Sequence, residues 1–393
     1  RYCELNPEQE ALLASSQAPI LILDALAQQN LPKDLAPGQR GFGFMLPYSP
    51  LHQLLLQGFE RPLVFTSGNR SDEPQCTGNA EARERLGSIA DAFLQHDRDI
   101  VNRVDDSVLR PMPGGVQYLR RARGAAPEPL ALPPGFEHAA PLTALGGELK
   151  NAFCLLRDGQ AILSQHLGDL EHPKAFAEYR STLDLYAELY RHRPEALVVD
   201  LHPDYRCSRF GRDWARRQGL ELMEVQHHHA HIAACLADNG LARDAGPVLG
   251  IALDGLGFGP DGSLWGGELL LADYRDYRRL AHMRAFPMLG GERAAYQPWR
   301  NAYAQLVGLF GWPALTRDWG GLEALQDLAA RPRELLDPML ERGLNSPPTS
   351  SAGRWFDAVA AVLGVCREQT AYEGQAAICL LYTSDAADEV VPV

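Results

Sequence analysis

The sequence predicts two α/β domains joined by a proline-rich connector. Three observations carry this prediction. In 1–124, short apolar runs bounded by turn residues alternate with helical stretches. A Pro/Ala-rich segment, "AAPEPLALPPGFEHAAPL", fills 125–142, a composition that makes a stiff linker. From 143 a second alternation begins, of strand-like runs and glycine-rich turns. A length of 393 residues suits two domains, each with its own core.

The elements follow in order. Residues 7–15 ("PEQEALLAS") read as a short helix, and 18–25 ("APILILDA") as a buried strand bounded by Pro and Asp. Residues 49–58 have Pro near the start and Gly at the end of a helix pattern. Residues 61–69 ("RPLVFTSGN") read as strand then loop, and 80–97 as an amphipathic helix. "DSVLRPM" and "VQYLRRARG" form a strand pair that ends the first domain near 124. In the second domain, "AFCLLRDGQAILSQ" is a hairpin turning at Asp158-Gly159. Residues 175–193 form a long helix and "ALVVDLHP" a strand. A histidine-bearing helix follows, then strand, glycine-rich turn and strand over "GPVLGIALDGLGFGPDGSLWGGELLLAD".

Composition narrows the function classes. The net charge of -13 argues against non-specific nucleic-acid binding, which needs a basic surface to displace counterions. Seven cysteines without a CxxC pair fit a reduced, cytoplasmic chain. No run of 18 apolar residues suggests a membrane span, and no leader-like segment follows Arg1. Without an initiating Met, the chain is expected to be a fragment.

The stretch "QHHHAHIAACLADNG" at 226–240 carries the sharpest chemical signal. His227 and His231 are four residues apart, which puts two imidazoles on one helix face, half of a metal site. No glutamate stands between them, so the zinc-protease motif is excluded. Asp254, expected at the end of a buried strand, is the candidate third ligand; the alternative is a turn-capping Asp-Gly pair. Gly255, Gly257 and Gly259, with Gly266, Gly267, Gly290 and Gly291, allow backbone amides to approach a phosphate, although hairpins use glycine for simpler reasons. Lys150, in the turn "LGGELKN", supplies a point charge and joins Asp254 as a catalytic candidate. Neither a P-loop nor a Rossmann fingerprint is present. In the first domain Ser67, Asn69 and Ser71 stand in a loop that either holds a nucleotide or is an ordinary polar loop.

Taken together, these segments resemble the HypF-type carbamoyltransferases of nickel–iron hydrogenase maturation. "MLPYSPLHQLLL", "PLVFTSGNRSDEP", "HDRDIVNRVDDSVLR" and "YLRRARGAAPEPL" look like that family's YrdC-like domain. "GGELKNAFCL", "VQHHHAHIAA", "LDGLGFGPDGSLWGGELL", "PTSSAGRWFDAVAA" and "YEGQAAI" look like its TsaD-like domain. The resemblance implies a partial YrdC-like domain (1–124), a linker (125–142) and a TsaD-like domain of actin-like ATPase fold (143–378), truncated in its second lobe. It also implies that 379–393 is a tail outside the family pattern, poorly packed, and that this chain alone lacks full transfer activity.

The implied chemistry is formation of carbamoyl-adenylate from carbamoyl phosphate and ATP with Mg2+. The carbamoyl group then passes to the C-terminal cysteine of a HypE-type partner. A divalent metal, iron or zinc, would be held by His227, His231 and Asp254. Ser67 and Asn69 would contact nucleotide, with Arg121 near the carbamoyl or phosphate group. Two rivals remain at this point: a tRNA threonylcarbamoyl transferase-like enzyme, disfavoured by the net charge of -13, and a non-catalytic metal- or nucleotide-binding scaffold.

Overall fold

The computed structural model describes all residues except 29, 38, 71, 72 and 384–393, together with all side chains of the described residues but those at 33, 382 and 383. The chain forms two compact units, 1–132 with 136–224, and 133–135 with 225–393. Ser71 and most of the expected tail lie outside the described residues.

The first unit opens with α1 (Pro7–Leu13). Asn6 caps it by accepting from the Gln9 N–H, and Gln9 returns a bond to the Asn6 N–H. β1 (Ile20–Asp24) buries Leu21 and Leu23 on one face, as its alternation requires. β2 (Gly41–Phe44), α2 (Pro50–Leu56) and α3 (Asn79–Leu86) follow, then the hairpin of β3 (Val108–Met112) and β4 (Gly115–Arg120). The four strands form a sheet in the order β2-β1-β3-β4.

Two expectations fail here. Residues 61–66 form no strand: they find no ladder partner among the described residues, and Val64 and Phe65 are exposed. Apolar content alone does not make a strand without pairing or burial. The helix expected over 80–97 stops at Leu86, where Gly87 caps it and Ile89 and Leu94 stay in solvent.

A second sheet in the same unit contains β5 (Leu130–Ala131), β6 (Leu142–Ala144), β7 (Cys154–Arg157), β8 (Gln160–Leu163), β9 (Ala196–Asp200) and β10 (Glu221–Val225). Their order is β10-β9-β6-β7-β8-β5, with β6, β7 and β8 an antiparallel meander and β9 parallel to β6. The β7–β8 turn is Asp158-Gly159, both with positive φ, as a two-residue hairpin demands. The stretch expected as a linker contributes β5, which pairs with β8. α4 (Pro173–Leu189) and α5 (Arg206–Gln218) complete this lobe. Tyr179 and Tyr186 of α4 pack on Phe153 and Ile162 in its core.

The second unit starts with α6 (His227–Asp238), then β11 (Val248–Phe258), β12 (Leu264–Ala272), β13 (Tyr277–His282) and β14 (Phe286–Pro287). A helical layer follows: α7 (Arg293–Tyr296), α8 (Pro298–Trp319, broken at Gly311), α9 (Glu323–Ala329) and α10 (Arg333–Arg342). β15 (Pro348–Thr349), α11 (Ala352–Val362) and α12 (Gln375–Thr383) end the described chain. The sheet runs β11-β12-β15-β14, with β13 on β12. Among the described residues no helix is long and apolar enough to cross a membrane.

Candidate metal centre

α6 begins at Gln226, whose side-chain Oε1 accepts from the His229 N–H at 2.9 Å. The first helical turn is therefore made of histidines. Ile232 and Leu236 bury the opposite end of the helix against Ala252, Trp265 and Leu270. Two glycines let α6 lie this close to β11. A Cβ on Gly250 would fall 2.6 Å from Ile232 Cδ1, and one on Gly257 would fall 2.5 Å from His228 Cε1 and 3.1 Å from His227 Cδ2. Gly257 thus has a steric role beside the imidazoles.

Asp254 lies within β11, not at its end. The register with β12 shifts between Leu253 and Gly257, so three residues of β11 bulge opposite one of β12. The bulge aims the Asp254 side chain at α6. Its Oδ1 accepts from the Gly255 N–H at 2.6 Å, and its Oδ2 lies 3.4 Å from His227 Nε2. His231 Nε2 is 3.1 Å from His227 Nε2. One ligand atom each from His227, His231 and Asp254 falls within a 4.8 Å cluster. Two imidazole nitrogens at 3.1 Å repel unless a proton or a cation lies between them. Asp254 Oδ2 is buried and has no hydrogen-bond partner of good geometry. Two imidazoles and one carboxylate, with an unsatisfied buried oxygen facing them, fit a divalent ion. Burial disfavours the Asp254 carboxylate, but His227 and His228 outweigh it and hold the carboxyl well below the usual range.

Sequence reasoning missed His228. Its ring is fully buried, stacks on Trp265, and places Nε2 3.4 Å from Asp254 Oδ2. Gln226 Nε2 lies 2.9 Å from His228 Nδ1 and donates to the Phe258 carbonyl at 3.2 Å. With Gln226 Oε1 committed to His229, the amide donates to Nδ1, which leaves the His228 proton on Nε2, facing Asp254. A glutamine cap before a buried histidine was the available signal.

The other candidates fall into separate surroundings. Gly266 and Gly267 belong to β12, where each backbone N–H approaches the buried Glu268 carboxylate at 3.1 and 3.3 Å. A Cβ on Gly266 would meet the Asp254 carbonyl oxygen at 2.9 Å. Gly255 is tied to α11: the Ser351 hydroxyl donates to its carbonyl and accepts from the Arg354 N–H. Gly259 packs on Trp265. Gly290 and Gly291 both have positive φ, and Gly290 lines a cavity with three arginines. In the first unit, Lys150 has positive φ and donates its N–H to Asp169 at 2.7 Å. Among the described residues Asn69 finds no partner for its buried Oδ1, and its N–H donates to the Ser67 carbonyl. Arg121 Nη2 donates to the carbonyls of Ala125 and Glu128 at 2.7 and 3.1 Å.

Fold and cluster define a chain that joins a YrdC-like α/β domain to a Kae1-like domain carrying a His/His/Asp centre. Three family models match it: Telomere recombination (the Sua5/YciO/YrdC model) over 1–122, HypF Kae1-like domain over 137–238, and Carbamoyltransferase, Kae1-like Domain, second subdomain over 250–391. The chain belongs to the HypF carbamoyltransferase family. Carbamoyltransferase HypF of Rhodobacter capsulatus is 50% identical over 382 residues, covering 97% of this chain and 50% of that protein. The HypF of Synechocystis is 40% identical, over 96% of this chain and 49% of the relative. A crystal structure of full-length HypF in the phosphate- and nucleotide-bound form matches with a TM-score of 0.85 at 39% identity, over 96% of this chain and 57% of that one. The crystal structure of T. kodakarensis HypF matches with a TM-score of 0.86 at 35% identity, over 96% and 50%. The chain spans about half the length of the curated relatives it matches.

Proposed function

We propose that this chain carries the carbamoyl-adenylate chemistry of a HypF-type enzyme. Carbamoyl phosphate, ATP and one water give carbamoyl-adenylate, phosphate and pyrophosphate: water splits carbamoyl phosphate to carbamate and phosphate, and the carbamate oxygen displaces pyrophosphate from ATP. The C-terminal cysteine sulfur of a HypE-type partner then attacks the carbamoyl carbon. AMP leaves, and the thiol proton is lost. The observation that carries this reading is the convergence of His227, His231 and Asp254 beside the β11 bulge.

A divalent ion held there, iron or zinc, supplies a positive charge for a phosphoryl oxygen. The protein groups do the rest. Gln226 and His228 hold the Asp254 carboxylate toward the ligand pair. Ser351 fastens the bulge to the N-terminus of α11, so that backbone N–H groups stay fixed beside the adenylate. Gly255 leaves open space beside the bulge, while Gly257, Gly266 and Gly267 allow close packing against His228, Ser351 and Ser350. In the first unit Ser67, Asn69 and Arg121 are assigned to nucleotide and carbamoyl phosphate, and Mg2+ accompanies ATP. Lys150 is assigned to a phosphate as a point charge.

The test uses a chimaera that supplies the remaining half of the relatives' length. Expected is ATP–pyrophosphate exchange that depends on carbamoyl phosphate, and a thiocarbamate on the partner's terminal cysteine by mass spectrometry. His227→Ala should abolish thiocarbamate formation while exchange persists. Undiminished transfer in His227→Ala, or exchange that ignores carbamoyl phosphate, would overturn the reading.

A further inference from the structure

A second charged site lies in the same unit, among residues that take no part in the histidine cluster. The turn at Gly290 leads into α7 and α8, and α10 packs opposite. Between them is a cavity of about 330 Å³. Arg293, Arg300 and Arg331 line it, and among the described residues no carboxylate does. The rest of the wall is mostly apolar, with Trp299, Leu336 and Met339, and Asn345 adds one neutral polar side chain.

The three arginines are not equivalent. Arg331 is neutralised by Asp327 at 2.7 Å and by Glu368. Among the described residues, Arg293 and Arg300 make no ion pair. Arg300 donates Nε to the neutral amide of Gln297 at 2.5 Å and lies over the Trp299 ring at 4.5 Å. That leaves its terminal nitrogens for the cavity. Burial, then the charges of Arg293 and Arg331, push the Arg300 guanidinium below its ordinary value. The cluster therefore holds like charges together at a cost that an anion would relieve. Gly290 makes the arrangement possible. It has φ +85°, and a Cβ there would lie 2.9 Å from Arg300 Nη1.

We propose that this cavity binds the phosphate group of a small phosphomonoester, with Arg293 and Arg300 as its two guanidinium donors. Two uncompensated positive charges match a dianion. Guanidinium forks suit phosphate oxygens. The volume exceeds that of a bare phosphate, and the apolar wall accepts the organic part. The inference does not rest on the carbamoyl-transfer reading, because no residue is shared with the histidine cluster.

The probes are inorganic phosphate and phenyl phosphate, titrated calorimetrically into the full chain at low ionic strength. Phenyl phosphate carries the apolar group without an adenine, so it discriminates between the bare ion and the monoester. Expected is a site that prefers phenyl phosphate and loses about tenfold in affinity in Arg293→Gln or Arg300→Gln, the scale of one charge-assisted hydrogen bond. Arg293 is exposed, so its replacement leaves the core intact. Zinc binding at the histidine cluster should be unchanged in both variants. Wild-type affinity for phenyl phosphate in Arg293→Gln would overturn the proposal. So would equal affinity for inorganic phosphate and phenyl phosphate, since the apolar wall would then bind nothing.

Discussion

His228 Nε2 faces Asp254 Oδ2 at 3.4 Å, and neither atom has a closer hydrogen-bond partner. The contact is long for a hydrogen bond, yet it joins a fully buried ring to a half-buried carboxylate, and their other sides are fixed by Gln226 and Gly255. His228 is thus a positioning residue for a candidate metal ligand. His228→Leu should weaken zinc affinity by about 10- to 100-fold, the range for lost partners of ligating groups. His228→Gln, which keeps an N–H on the same side, should recover part of it. A merely structural role would give equal losses in both variants, read by competition with a fluorescent chelator.

Gly257→Ala tests the close approach of α6 to β11. The added Cβ would sit 2.5 Å from His228 Cε1, and His228 is fully buried and cannot swing away. The rings must shift, so zinc affinity should fall by at least about tenfold, while Gly255→Ala, with open space around its Cβ, should fall less. Equal affinities in the two variants would show that the rings do not depend on this contact.

Ser351→Ala removes the α11 cap and the tie to the Gly255 carbonyl together. The cost to stability should be about 1 kcal/mol, as for other lost caps, read by urea denaturation. Because the bulge loses its anchor, zinc affinity should drop as well. Lost stability with unchanged affinity would separate the cap from the bulge.

The buried Glu268 carboxylate sets an acid limit. Burial raises its pKa, but Arg279 at 2.6 Å, the Ser350 hydroxyl and the Gly266 N–H bring it below its ordinary value of 4.5. A depressed folded value means stability that is present above the unfolded value and lost as pH falls through the folded one. Glu268→Gln should therefore flatten the decline in stability below about pH 4.5. At neutral pH it should cost about 2 kcal/mol, because Arg279 loses its buried partner but keeps Asp261 at 3.4 Å. Urea midpoints from pH 3 to 7 check both; an unchanged acid limb would mean that other carboxylates dominate.

Where local chemistry decides structure, the sequence was readable. Asp158-Gly159 specified its hairpin because a two-residue turn needs positive φ. The i, i+4 spacing of His227 and His231 put both rings on one face, and Asp254 joined them. What escaped depends on distant partners. Residues 61–66 have strand composition, but among the described residues no strand pairs with them. Asp254 reaches α6 through a bulge set by register with β12, and His228 acquires its role only from that bulge. Arg293 and Arg300 become neighbours of one cavity through the turn at Gly290, which the sequence presented only as one more glycine pair.

The central claim is that His227, His231 and Asp254 hold one divalent ion. Calorimetric titration of the metal-free chain with Zn2+ tests it most directly. The account predicts one ion per chain in the wild type, and loss of that binding in His231→Ala and Asp254→Ala, with the thermal midpoint of the metal-free protein unchanged in His231→Ala, whose residue is exposed. Wild-type stoichiometry and affinity in either variant would contradict it.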